Sequence, residues 1–273
     1  MRNSIVTDDL IDEFRDRGVT VLRGAFDAAW IGRLRDGLAR NTAEPGPYRR
    51  NYGEAADADA FFGDYCNWRR IPEFETFVRE SPAADIAGAL MGSAKVNFFH
   101  EHALVKAPGT DAPTPWHHDQ PYYCLSGEQT CSLWVPLDPV GRDSALEFVA
   151  GSHRWDSLFQ PKMFVGEDYP IADDGFEPMP DIDAARADYD IVSHAVEPGD
   201  CVAFHFRTVH GAPGNRSADT WRRAIAFRWT GDDVRFRPRS GVMSPPFPEF
   251  PEFDLADGDA LDSELFPVIR RRS

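Results

Sequence analysis

The segment TPWHHDQPYY, Thr114–Tyr123, sets His117, His118 and Asp119 side by side among aromatic residues. In an extended strand, side chains two positions apart share a face. His117 and Asp119 therefore fall on one face and His118 on the other. An imidazole and a carboxylate aimed at one point supply two of the three ligands of the site that holds non-haem Fe(II), two histidines and one carboxylate with coordination positions left open. The third ligand must come from elsewhere. His153, His194, His205 and His210 are candidates, with His100 and His102 upstream. His210 stands out because it sits where CVAFHFRTV breaks into the turn-rich GAPGNRS, a strand end beside an open position. His205 lies inside CVAFHF, where a packed core histidine is the plainer assignment.

Arg222 follows in WRRAIAFRWT. Read as a strand, one face carries Arg222, Ala224 and Ala226, the other Arg223, Ile225 and Phe227. The first face is small apart from its arginine and leaves room for a ligand. A guanidinium there suits a small dicarboxylate, which it meets with two parallel hydrogen bonds. Arg223 is assigned to the surface or to an ion pair. Directly after the His-x-Asp pair, Gln120 is positioned to hydrogen-bond a substrate and Tyr122 to stack on it, with core packing as the competing role. Arg49-Arg50 and Arg69-Arg70 are two basic pairs suited to an anionic substrate, although exposed arginines are usually just solvated.

These residues need a frame. Thr7 reads as an N-cap for a short helix carrying Leu10, Ile11 and Phe14 on one face and ended by Gly18. VTVL, 19–22, reads as a strand. Asp27 caps a second helix through Trp30, Ile31, Leu34 and Leu38, and a third opens at Ser81-Pro82 and closes near Gly92. From about Lys95 the pattern changes to short runs rich in Val, Phe, Trp and Ile, separated by Gly, Pro, Asp and Ser: KVNFFHEHALVKAPG, CSLWVPLDPVG, LEFVAGSH, DIVSHAVEPGD, CVAFHF and RRAIAFRWTG. Such runs indicate an all-β sandwich or barrel. The expected layout is one domain over 1–273, with a helical part over about 1–93, a β core over about 94–235 and a surface tail over 236–273. Phe159–Asp190 is expected to be a long loop at the mouth of the barrel, a frequent place for a lid.

Composition narrows the function. The formal charge is −16 in 273 residues, which repels phosphates and anionic lipid and argues against nucleic acid or membrane partners. There is no apolar run long enough for a membrane span, and the N-terminus carries acids where a signal peptide needs apolar residues. A cytoplasmic protein is expected, monomeric or weakly self-associating, with Cys66, Cys124, Cys131 and Cys201 as reduced thiols.

Taken together, TPWHHDQPYY, LWVPLDPV, LEFVAGSHRW, EPGD, VHGAPGNRS and RRAIAFR resemble the phytanoyl-CoA dioxygenase family of Fe(II)/2-oxoglutarate-dependent oxygenases, in that family's order and spacing, from about Asn97 to Trp229. The resemblance implies a mainly β fold, a double-stranded β-helix (a jelly-roll, cupin-like barrel) with flanking N-terminal helices. It implies His117, Asp119 and His210 as iron ligands and Arg222 as the partner of the distal carboxylate of 2-oxoglutarate. It places Trp134 and His102 in the cofactor pocket. A serine often found two positions after the distal histidine is here Ala212, so Thr130 or Ser132 is expected to supply the hydroxyl. Related halogenases carry a small residue at the carboxylate position, so Asp119 favours oxygenation. The implied reaction consumes O2 and 2-oxoglutarate, releases succinate and CO2, and hydroxylates a small organic molecule, an acyl-CoA among the possibilities. Two competing readings stand beside it: a jelly-roll binding protein that has lost activity, and the same iron site directing desaturation, epimerisation or cyclisation.

Overall fold

The computed structural model describes residues 5–52, 60–162, 175–241 and 243–271. Among them four α-helices form: α1 (Asp8–Arg17), α2 (Ala28–Ala43), α3 (Pro72–Glu80) and α4 (Ala83–Met91). The strands of the first half are β1 (Val19–Leu22), β2 (Arg50–Asn51), β3 (Phe61–Tyr65), β4 (Lys95–Lys106), β5 (Thr114–His117), β6 (Leu125–Ser126) and β7 (Thr130–Pro136). Those of the second half are β8 (Glu147–Val149), β9 (Ile191–Ser193), β10 (Cys201–Phe204), β11 (His210–Ala212), β12 (Arg222–Thr230), β13 (Arg235–Phe236) and β14 (Val268–Arg271).

The helix ends follow from local chemistry. Thr7 Oγ1 accepts from Leu10 N, and Gly18 closes α1 at φ +74°, a left-handed turn that a side chain would resist. Asp27 Oδ1 accepts from both Ala29 N and Trp30 N at 3.0 Å to start α2. One helix was expected around Ser81-Pro82, and two are present. Ser81 caps the C-terminal end of α3, and its hydroxyl accepts from Ala83 N at the start of α4. The apolar spacing of Phe74, Phe77 and Val78 marks α3 as amphipathic, and all three are buried.

Two antiparallel sheets face each other. The large one runs β1-β10-β7-β12-β4-β3-β2, with β14 also pairing to β4; the small one runs β5-β11-β8-β9. This is the jelly-roll expected from the sequence. Strand alternation sorts the side chains. On β7 and β12, Leu133, Val135, Ile225 and Phe227 face the helices and pack on Phe26, Leu34, Phe74 and Phe77. The rings of Phe77 and Phe227 lie 4.4 Å apart. Burying each such side chain contributes about 1.5–3 kcal/mol. The opposite face carries Trp134, Ala224 and Ala226, which meet Phe148 and Ala212 of the small sheet. The small residues of β12 keep the space between the sheets open, and the site lies there.

The tail differs from a surface wrap. Phe247, Leu261, Leu265 and Phe266 are buried with Phe99, Tyr123 and Phe206, and β14 extends the large sheet. Scattered Phe and Leu in a Pro- and Asp-rich stretch gave no period from which to infer burial. The strand expected at 19–22 is present as β1, and 1–93 holds two strands that were not expected, β2 and β3, all three in the large sheet. Of the 159–190 loop, residues 163–174 lie outside the described residues. Its described ends are packed: Phe159 and Ile182 are buried with Val149 and Val209.

Candidate metal centre and diacid slot

β5 and β11 are paired neighbours, and their register sets His117 directly opposite His210. The two imidazole centroids are 4.2 Å apart. Each ring is oriented through Nδ1: His117 Nδ1 lies 2.8 Å from Pro115 O, and His210 Nδ1 lies 2.9 Å from Thr208 O. A carbonyl can only accept, so Nδ1 carries the proton and the lone pair sits on Nε2, the arrangement a metal-binding histidine needs. Burial pushes His210 down to about 3 and lowers His117 as well, which keeps both rings neutral.

Asp119 reaches the same point by a route the sequence did not show. β5 ends at His117, and Asp119 has helical dihedrals (φ −71°, ψ −37°) at the start of a 3-10 turn over Gln120–Tyr122. The expected strand through all three residues is therefore broken, and the turn, not strand alternation, brings the carboxylate round. Asp119 N donates to Phe206 O at 2.7 Å, which pins the turn to the segment after β10. One ligand atom from each of His117, Asp119 and His210 lies within 4.8 Å of the others, and all three residues are buried. Burial alone would raise the Asp119 carboxyl, but the buried Arg228 guanidinium together with the His210 and His117 rings outweighs it and holds the group well below the usual carboxylate range. Arg228 Nε sits 3.3 Å from Asp119 Oδ2.

His118 turns away. Its Nε2 accepts from Phe159 N at 2.9 Å, which ties the first residue of the long loop to the motif. His205 is packed too, with Nε2 2.7 Å from Glu128 O.

Two cavities meet at the cluster, and His102, His117 and Arg228 line both. The inner one is a narrow slot between the sheets, bounded by Trp134, His210 and Ala226 and ending at Lys106 and Arg222. Arg222 is 6% exposed. Its Nη1 donates to Ser144 O at 2.7 Å and to Pro213 O at 3.3 Å, and it has no carboxylate partner among the described residues. Burial pushes it down to about 10, still charged at neutral pH. Arg223, one position on, points to the other face and forms a two-pronged pair with Asp138 at 2.8 and 2.6 Å. Two further donors in the slot's lining, Trp134 Nε1 and Arg228 Nη1, are buried without a hydrogen-bond partner among the described residues.

The outer cavity is wider, about 250 Å³, and is walled by Tyr52, Tyr65, His100, Tyr122, Tyr123 and Lys162. Tyr122 Oη accepts from Lys162 N at 2.8 Å, so the loop's described end closes against the cavity wall. His102 stands between the cavities because Gly63 gives it room: a Cβ on Gly63 would collide with His102 Nε2.

Several expected residues are elsewhere. Gln120 is buried but lines neither cavity; its Nε2 points to Gly127 O at 3.5 Å. Thr130 accepts from Phe206 N at 3.3 Å and also lines neither cavity. Gln120 follows the His-x-Asp pair directly, but the turn after Asp119 aims it elsewhere; Thr130, expected to replace the hydroxyl missing at Ala212, lies two same-face positions before Trp134 on β7. The hydroxyl placed opposite Ala212 is Thr114, its register partner on β5, which does line the slot. Arg69 pairs with Glu264 at 3.4 Å and Arg70 bonds Asn67 Oδ1, so that basic pair braces the fold. Arg50 alone of the four arginines lines the outer cavity. Lys106 and Arg228 were missed, although both are visible in the alternation: Lys106 shares a face with His102 on β4, and Arg228 shares one with Arg222 on β12.

A jelly roll with two histidines and a carboxylate at one end of an inter-sheet slot defines the class of protein. The chain belongs to the phytanoyl-CoA dioxygenase (PhyH) family, whose pattern matches residues 14–224. A probable phytanoyl-CoA dioxygenase of Caenorhabditis elegans is 26% identical over 161 residues, which cover 55% of this chain and 48% of that protein. The match thus spans about half the length of that relative. Among solved structures, the non-heme alpha-ketoglutarate-dependent carbocyclase SnoK from nogalamycin biosynthesis is similar with a TM-score of 0.76 and 24% identity, over 96% of both chains. The epimerase SnoN, in complex with Fe3+, alpha-ketoglutarate and nogalamycin RO, is similar with a TM-score of 0.74 and 21% identity, over 96% of this chain and 98% of that one. At these identities the likeness is one of fold. No helix among the described residues is long and apolar enough to cross a membrane, and all four cysteines are unpaired.

Proposed function

We propose that the protein is an Fe(II)- and 2-oxoglutarate-dependent oxygenase acting on a small organic molecule. One observation carries the reading. The slot leading from the His117–Asp119–His210 cluster ends at a buried arginine with no carboxylate partner among the described residues, and its unpartnered polar atoms, Trp134 Nε1 and Arg228 Nη1, are donors. Such a lining suits an acceptor-rich diacid. The cluster itself suits a divalent iron, with neutral imidazoles and an ionised carboxylate ready without further proton loss.

In this reading His117, Asp119 and His210 hold the metal, and Arg222 holds the far carboxylate of 2-oxoglutarate. When bound, iron and 2-oxoglutarate supply an O2-dependent oxidation that yields succinate and CO2. The chain's own residues orient and shield. The Pro115 and Thr208 carbonyls fix the two rings. Arg228 fixes Asp119 and keeps its carboxylate ionised. Trp134 and Phe204 wall the slot against water, and no side chain has to act as a general base. The substrate occupies the outer cavity, with Tyr122 on its wall.

Hydroxylation is the outcome we assign. The fold neighbours include a carbocyclase and an epimerase, so ring closure or epimerisation is the second reading. The test is an anaerobic titration of Fe(II)-loaded protein with 2-oxoglutarate, followed by a substrate screen that measures succinate and substrate loss together. A charge-transfer band on adding 2-oxoglutarate is expected. Its absence would favour the binding-protein alternative.

A further inference from the structure

Lys106 is 2% exposed and lies at the inner end of the slot. It is the register partner of Arg222 across β4 and β12. Both cations point to the same place: Lys106 Nζ donates to Pro213 O at 3.1 Å and Arg222 Nη1 to that same oxygen at 3.3 Å. Lys106 Nζ also donates to Ala112 O at 2.8 Å and sits 4.3 Å from the centroid of the Phe61 ring. Neither has a carboxylate partner among the described residues. The other buried cations contrast with them. Lys95 is neutralised by Asp262 at 2.5 Å, and Arg228 by Asp119 at 3.3 Å. Two neighbouring buried cations repel each other and lose hydration, and carbonyl dipoles offset that only in part. Burial, and then Arg222, push the Lys106 ammonium down to about 6.

We propose that Lys106 and Arg222 together form a two-cation seat for a carboxylate, so that the far end of the diacid is held by an ammonium as well as by a guanidinium. The inference rests on the oxygenase reading in one respect, that the diacid is 2-oxoglutarate. The arrangement divides the work. The guanidinium supplies a planar fork, and the ammonium supplies a compact charge from the neighbouring strand. A ligand with an uncharged end would leave Arg222 buried without a counter-charge and Lys106 as the neutral amine, whereas a carboxylate favours the ammonium beside it, so the seat selects for a diacid over a monoacid of equal length.

The test compares 2-oxoglutarate with 2-oxopentanoate, which has the same chain length and a methyl group in place of the far carboxylate. Both are titrated anaerobically into Fe(II)-loaded protein and followed by the charge-transfer band. Lys106→Met should weaken 2-oxoglutarate by ~tenfold or more, the worth of a charge-assisted hydrogen bond. It should leave 2-oxopentanoate affinity unchanged or improved. Lys106→Arg should retain most of the affinity for 2-oxoglutarate. Should the methionine variant not fold, Lys106→Gln carries the same comparison, since it keeps donors for the Ala112 and Pro213 carbonyls without the charge. Equal weakening of both acids would mean that Lys106 only braces the segment before β5, and would overturn the proposal. So would an unchanged 2-oxoglutarate affinity, with the oxygenase reading intact. Wild-type protein that binds neither acid would sink both readings.

Discussion

The two cavities that meet at His102 and His117 are built from different materials. The inner slot is made of regular strands: β4 gives His102 and Lys106, β7 gives Trp134, β11 gives His210, and β12 gives Arg222, Ala226 and Arg228. Ladder hydrogen bonds fix these positions on both sides of β12, so the slot's length is set by the sheet. The outer cavity draws on strand ends, the turn after Asp119, the loop end at Lys162 and the tail at Ser244 and Pro245. In the proposed oxygenase, one frame would hold a constant diacid in the slot while the outer wall changes to suit the substrate. The neighbouring arginines of β12 repeat the contrast at the scale of one residue. Arg223 has its carboxylate within the fold, and Arg222 has none among the described residues.

The largest effect should come from the junction itself. His210→Ala should lower Fe(II) affinity beyond the ~10–100-fold that loss of an outer hydrogen-bond partner costs. His118→Ala should keep the metal, since that ring faces Phe159. Anaerobic equilibrium dialysis checks both, and the reverse pattern would show that the ligand set is misassigned.

Next in size is the tail. Phe266→Ala removes a fully buried ring that packs on Phe99 and Phe247 and should cost ~3–5 kcal/mol of stability. In the folded variant, 2-oxoglutarate affinity should stay near that of wild type, because the slot is framed by strands. A parallel loss of that affinity would erase the distinction between the two cavities. Thermal melts and the anaerobic titration together decide it.

Arg222→Met should weaken 2-oxoglutarate by ~10–100-fold, equivalent to about 1.5–3 kcal/mol, while iron binding holds. Arg223→Met should leave 2-oxoglutarate affinity alone. Its side chain is 39% exposed, so loss of the Asp138 pair should cost under about 1 kcal/mol of stability. Equal effects on 2-oxoglutarate affinity from the two substitutions would contradict the facing of β12.

The smallest effect is expected at the outer wall. Tyr122→Phe removes the hydroxyl that engages Lys162 and is worth about 0.5–1.5 kcal/mol as a net hydrogen bond. It should raise 2-oxoglutarate consumption in the absence of substrate by a modest factor, with iron and 2-oxoglutarate affinities unchanged. An unaltered basal turnover would mean that the contact with the loop does not shield the centre.

Much of the site was legible because alternation and turn chemistry are local. RRAIAFRWT shows a small face and an arginine whatever the rest of the chain does, but CVAFHFRTV is not one strand ending at His210: β10 stops at Phe204, and His210 opens β11 in the other sheet. The caps at Thr7 and Asp27 and the stop at Gly18 follow from hydrogen bonding within a few residues. Other features depend on what packs where. Phe247, Leu261 and Phe266 have no period of their own; they are buried because β4 and the 3-10 turn leave a surface for them. Gln120 looked like a substrate contact by adjacency alone, and the turn aims it at Gly127.

By itself the sequence determined the chemical types and their order along the chain: a His-x-Asp pair, a histidine before a turn-rich stretch, and an arginine on a small face. Strand alternation is a property of the backbone, so it could be read without partners. Only the tertiary structure decided that Asp119 comes round on a turn after β5 has ended, that Lys106 stands beside Arg222, and that Thr114 rather than Thr130 faces Ala212. These are facts of register between strands far apart in the chain. Register is set by how both faces of a sheet are buried, and no single strand carries that information.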